Sequence, residues 1–116
     1  MQRNYLPGIL LSAGLAFVLG NFGIDKFVHP LIWIGWLPDW MDGLASLSKE
    51  AWLTVIAIAE IIMAVLILIP VRQVRMTGCI LIALHLLGIL TQVGWNDIAV
   101  RDIGLLAAVL ALLGLL

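Results

Sequence analysis

The chain is 116 residues long, 64% hydrophobic and 11% charged, with a formal net charge of -1. So apolar a composition excludes an ordinary soluble domain and fits a single-domain polytopic membrane protein, all-α. The near-neutral charge offers no footprint for nucleic acid. Cys79 is the single cysteine, which excludes an internal disulfide or a two-thiol relay, and no Cys/His spacing of a metal site occurs.

Taken in order, the chain marks four spans, about 9–27, 51–69, 76–93 and 98–116, each near the ~20 residues that a crossing needs. The first span follows Arg3 and runs past any convincing small-x-small cleavage pattern, so it reads as a retained span rather than a cleaved signal. The expected fold is a four-transmembrane-helix bundle with a short interfacial segment between helices 1 and 2.

The tight turn 70–75 holds Arg72 and Arg75 and no acid. By the bias of Lys and Arg toward cytoplasmic loops, this turn, Arg3 and both termini are cytoplasmic, in a cytoplasmic membrane. The segment 28–50 and the turn at 95–97 then lie outside. All five tryptophans (Trp33, Trp36, Trp40, Trp52 and Trp95) fall on that side, where amphipathic rings favour the headgroup layer. In segment 29–40 the spacing of Trp33, Trp36 and Trp40 predicts one face of a short interfacial helix over the bundle mouth, with Pro38 breaking its last turn. Ser48 is placed to cap the second span, with Glu50 in its positive first turn.

Small residues recur on two helix faces, Ser12, Ala16 and Gly23 in the first span and Gly104, Ala108, Ala111 and Gly114 in the last. Both read as packing stripes for close helix approach.

The most informative stretch is 94–104, which sets Asp97, Arg101 and Asp102 between two apolar runs. After Asp102 only about 14 residues remain, roughly 21 Å of helix against a hydrocarbon core of about 30 Å. The last helix must therefore start near Asp97, which draws Arg101 and Asp102 into the slab. Charges at that depth are costly unless paired, and they mark a site by default. Asp97 and Arg101 stand four apart, the acid N-terminal to the base, and are expected to pair along the helix face.

Two further polar residues sit at mid-membrane, Glu60 midway along the second span and His85 midway along the third. An ionised carboxylate there costs about 2.5–3.5 kcal/mol on insertion scales, so Glu60 needs a partner or a proton, and a contact with His85 would meet both needs. Asn21, Asp25 and Lys26 end the first span, and Gln92 lies one heptad beyond His85. With Asn96, Asp97, Arg101 and Asp102 they are expected to line one outward-opening pocket. Lys26 and Arg101 would be its cationic ligand contacts, Asp25, Asp97 and Asp102 would orient them, and Glu60 or His85 would handle a proton. The competing reading is a structural ion-pair lattice that pins the helices.

Gly20-Asn21-Phe22-Gly23-Ile24-Asp25-Lys26-Phe27, the Leu37-Pro38-Asp39-Trp40 segment, Glu60, and Val100-Arg101-Asp102-Ile103-Gly104-Leu105-Leu106 together resemble the DoxX family of small four-helix membrane proteins, over nearly the whole chain. That resemblance implies a four-helix bundle in the cytoplasmic membrane of a bacterium or archaeon. It also implies redox work, as in a quinone-linked thiosulfate oxidation subunit or a partner to oxidant-defence enzymes. The expectation is a redox-associated subunit or binding protein rather than an enzyme by itself, with a quinone as cofactor. Its expected partners are the lipid bilayer, a redox protein and, in a homo-oligomer, a second copy of the chain. Two other readings stand beside it, a proton-coupled transporter resembling the small multidrug resistance proteins, and a non-catalytic membrane anchor.

Overall fold

The computed structural model describes residues 2–116, and their side chains from Leu6 onward apart from Val93. Arg3, one of the residues on which the orientation rests, lies outside the described side chains. The chain is all-α, with no strand among the described residues: α1 (Gln2–Val28), α2 (Pro30–Ile34), α3 (Lys49–Leu68), α4 (Arg72–Val93) and α5 (Asp97–Leu115), with short 3-10 turns at Asp39–Met41 and Leu44–Ser46.

Capping residues set where the long helices begin. The Ser48 hydroxyl accepts from the Ala51 N–H at 3.1 Å and Glu50 stands in the first turn of α3, as the sequence predicts. Asn96 does the same for α5, its side-chain oxygen accepting from the Ala99 N–H at 3.0 Å. Each bond satisfies one of the donors that a helix N-terminus leaves open. Gly94, at φ 72°, makes the left-handed step between α4 and Asn96, a conformation that favours glycine.

Helix α4 begins at Arg72, a turn earlier than residue 76, so its arginines belong to a helix and not to a loop. Their side chains explain the difference. Arg75 Nε donates to the Ile67 carbonyl at 2.9 Å and Arg72 Nε to the Leu116 carbonyl at 2.6 Å. Both arginines thus cap open carbonyls at the negative ends of α3 and α5. The interfacial segment also departs from expectation: α2 ends at Ile34, and Trp36 and Trp40 lie beyond it in turns. One helix face therefore does not carry all three tryptophans.

The long helices alternate in direction and pack in a ring, α1 on α3, α3 on α4, α4 on α5, and α5 back on α1. Leu15, Leu19, Ile67, Ile82, Val109 and Leu112 fill the centre. The α1–α3 seam is the most extensive in the ring, and Gly23 lets the two helices approach closely. A Cβ there would stand 2.7 Å from Ile61 Cγ1 and 2.8 Å from the Ala57 carbonyl oxygen. Ser12 and Ala16 are buried on the same face, so the α1 stripe packs as expected. The α5 stripe does so only at Ala108, which packs against the core; Gly104, Ala111 and Gly114 are exposed, and nothing lies near a Cβ built at Gly104 or Gly114. The buried face of α5 is instead Ala99, Asp102, Val109 and Leu112.

Large apolar side chains such as Leu10, Phe17, Val65, Leu68 and Leu110 point away from the ring. An apolar belt of that extent needs lipid rather than water. The four long helices are each long and apolar enough to cross a bilayer, and the protein is accordingly a multi-pass membrane bundle.

Candidate functional site

Helix direction brings Lys26 and Glu60 together. Side chains lean toward the N-terminus of their own helix. On the antiparallel α1 and α3, Lys26 therefore leans inward along the bundle and Glu60 leans toward the end where α1 finishes. Lys26 Nζ meets Glu60 Oε1 at 2.6 Å, with the two side chains 7% and 2% exposed. The contact is an ion pair whose angle falls outside hydrogen-bond geometry, so Oε1 has charge compensation without a directed bond. Glu60 Oε2 takes its second partner from α4, His85 Nε2, at 3.0 Å. The Glu60–His85 contact is the one expected from their matched depth. Lys26 as the third member was not foreseen, because its place near the end of α1 hides how far its stem reaches.

Aromatic rings close over this chain of groups. Lys26 Nζ lies 4.0 Å from the Trp33 ring centroid, within cation–π range. Trp33 is held by Asp25, whose Oδ2 accepts from the indole Nε1 at 2.6 Å while Oδ1 meets His29 Nδ1 at 2.8 Å. Phe22 packs against Trp33, centroids 5.7 Å apart, and carries Arg101 on its other contact, with the guanidinium carbon 4.3 Å from the ring centroid.

Arg101 does not pair with Asp97. Its Nε donates to Asp102 Oδ1 at 3.1 Å. The i, i+4 rule describes two side chains on one solvated helix face, whereas here Phe22 of α1 draws the guanidinium toward the bundle. Asp102 is 1% exposed, and its other oxygen, Oδ2, has no partner among the described residues. Asp97 stays exposed in the first turn of α5, where an acid suits the helix dipole.

These groups face one cavity of about 80 Å³, lined by Lys26, Glu60, His85, Arg101 and Asp102 and walled by Phe22, Trp33, Trp36 and aliphatic side chains. That space has room for a few waters or one small polar group, since a single water needs at least about 10–15 Å³. The remaining expected pocket residues stand elsewhere. Asn21 is exposed on the outer face of α1, Asn96 serves as the cap of α5, and Asp25 acts through Trp33. Gln92 accepts from Trp40 Nε1 at 3.2 Å and lines a neighbouring groove that His85 and Trp36 also border. The tryptophans, read from sequence as headgroup anchors, supply two of the cavity walls. Among the described residues no three His, Cys, Asp or Glu side chains are grouped to hold a metal.

Fold and site together define a class: a four-helix multi-pass membrane bundle whose ion pairs face a small aromatic cavity between the helices. The chain belongs to the family described as "Domain of unknown function (DUF8561)", whose model matches residues 15–111 and so takes in every charged group of the cavity. No curated protein and no solved structure matches the chain.

Proposed function

We propose that the protein is a membrane subunit that holds a lipid-soluble ligand with a polar, proton-exchanging head, quinone-like in chemistry, and serves a redox partner protein. The observation that carries this reading is the Lys26–Glu60–His85 chain at the floor of an aromatic cavity. Glu60 between an ammonium and an imidazole can pass a proton to or from a bound head group without leaving a lone charge in the apolar slab. The resemblance to DoxX proteins supports the same reading, though likeness of fold does not carry function by itself. The cavity lies toward the end of the bundle where the tryptophans gather. With Arg72 and Arg75 at the other end, the reading puts the ligand on the outer side of a cytoplasmic membrane and both termini in the cytoplasm.

Mass spectrometry of the gently extracted protein tests it. A lipid-soluble aromatic molecule should be retained at near-stoichiometric level by the parent and lost from Lys26→Met when that variant is folded. Retention of phospholipid alone, or equal retention by both proteins, would sink the reading.

A further inference from the structure

Two carboxylate oxygens among the cavity's described residues accept no hydrogen bond, Glu60 Oε1, which the Lys26 ammonium meets at 2.6 Å, and Asp102 Oδ2. Asp102 sits on the buried face of α5, and Arg101 Nε satisfies Oδ1. Oδ2 has less than a trace of exposed surface and no partner among the described residues, yet Asp102 lines the cavity. Buried acceptors of this kind are completed in nearly every folded protein, and leaving a charged one open in an apolar surround is costly. The other charged and polar groups facing the cavity do not compete for this role. Glu60 has the charge of Lys26 against Oε1 and a hydrogen bond with His85 on Oε2. Arg101 stacks on Phe22.

From this we infer that the cavity selects a ligand by a hydrogen-bond donor on its head, a hydroxyl on an aromatic ring, which gives its proton to Asp102 Oδ2 in a hydrogen bond. The inference rests on the ligand-holding reading above and narrows it to the hydroxylated, reduced form of such a ligand over one that offers only acceptors. Ring chemistry follows from the walls: Phe22, Trp33 and Trp36 line the cavity together with aliphatic side chains, a surround that suits a flat apolar body. The hydroxyl follows from Asp102, because a carboxylate can only accept. A ketone or ether oxygen placed there would meet the carboxylate lone pairs and leave both groups unsatisfied. Sites built to bond a substrate hydroxyl reject analogues that lack it far more strongly than sites that merely enclose it.

The test uses the full chain in detergent with two probes, a decyl-substituted hydroquinone kept reduced under argon and its dimethyl ether, titrated by calorimetry after correction for partition into empty micelles. The hydroquinone should bind at least about tenfold more tightly than the ether, the scale of one charge-assisted hydrogen bond. Asp102→Asn should bring the two within about threefold of each other while its thermal unfolding stays cooperative. Because that substitution can compromise folding, the comparison on the parent protein stands alone as a criterion. Equal binding of the two probes by the parent would overturn the donor inference and leave the cavity as a ligand site. A preference that persists in folded Asp102→Asn would remove Asp102 from the role. Failure of both probes to bind would overturn both the inference and the ligand-holding reading beneath it, and binding of the ether alone would overturn the inference.

Discussion

Glu60 answers to two helices at once, Lys26 from α1 and His85 from α4, so its energetics belong to the group and not to a single pair. Removing Lys26 alone leaves a buried carboxylate with His85 as its remaining partner among the described residues, and removing Glu60 alone leaves an ammonium under Trp33. Breaking a buried pair from one side costs about 3–5 kcal/mol. Lys26→Met and Glu60→Gln should therefore each lower detergent stability by several degrees, and the double variant should lose much less than the sum. A double-mutant cycle should give a coupling energy of about 1–3 kcal/mol, and additivity would mean that the charges do not interact. Asn21→Leu supplies the contrast. Its side chain is exposed on α1, away from the cavity lining, so stability and ligand retention should both stay at parent level. Sequence reasoning could pair Glu60 with His85 because each occupies the middle of its span, and depth is readable from a count of residues. It could not see that Phe22 would turn Arg101 from Asp97 to Asp102, since that depends on which face of α1 meets α5.

At the scale of helices, two seams carry the arrangement. Gly23 sets the α1–α3 distance that lets Lys26 reach Glu60. Gly23→Ala would press a methyl into Ile61 and the Ala57 carbonyl, and overpacking of this kind costs about 1–3 kcal/mol. The expected result is a lower melting temperature together with loss of retained ligand. Gly104→Ala, with nothing near its Cβ, should change neither, and equal damage by both would refute the seam argument. The arginine caps tie α4 to its neighbours at the other end. Arg75, whose bond to Ile67 is partly buried, should cost about 1–2 kcal/mol when changed to Leu, while Arg72, whose bond to Leu116 is exposed, should cost less, as read by thermal unfolding. Helix starts at Ser48 and near Asp97 were legible because caps and hydrophobic length are local signals. The small-residue face of α5 misled because spacing alone does not say whether a stripe meets a helix or faces outward.

For the whole molecule, the four spans follow from hydropathy and length, but orientation depends on only a few charges. The six Lys and Arg residues divide unevenly. Lys26 and Arg101 are committed to the cavity, and Lys49, in an ion pair with Asp39 at 3.0 Å, is the basic residue of the tryptophan end outside it. Arg72 and Arg75 stand at the opposite end, and their caps to carbonyl oxygens leave both charges intact. Asp39, Asp42, Glu50 and Asp97 gather at the tryptophan end, but acids contribute little to orientation, so the arginines decide it. Cys79 is buried and alone, which makes a single-cysteine test clean: a lone thiol closes no internal disulfide, so Cys79→Ser should leave abundance unchanged. On that background, Ser46→Cys in the outer turn should react with a membrane-impermeant maleimide in intact cells, and Gln73→Cys in the first turn of α4 should react only after permeabilisation. The reverse pattern would invert the bundle and put the cavity mouth on the cytoplasmic side. Labelling of both sites in intact cells would show a mixed orientation, the outcome to expect if Arg72 and Arg75 serve only as helix caps and do not direct insertion.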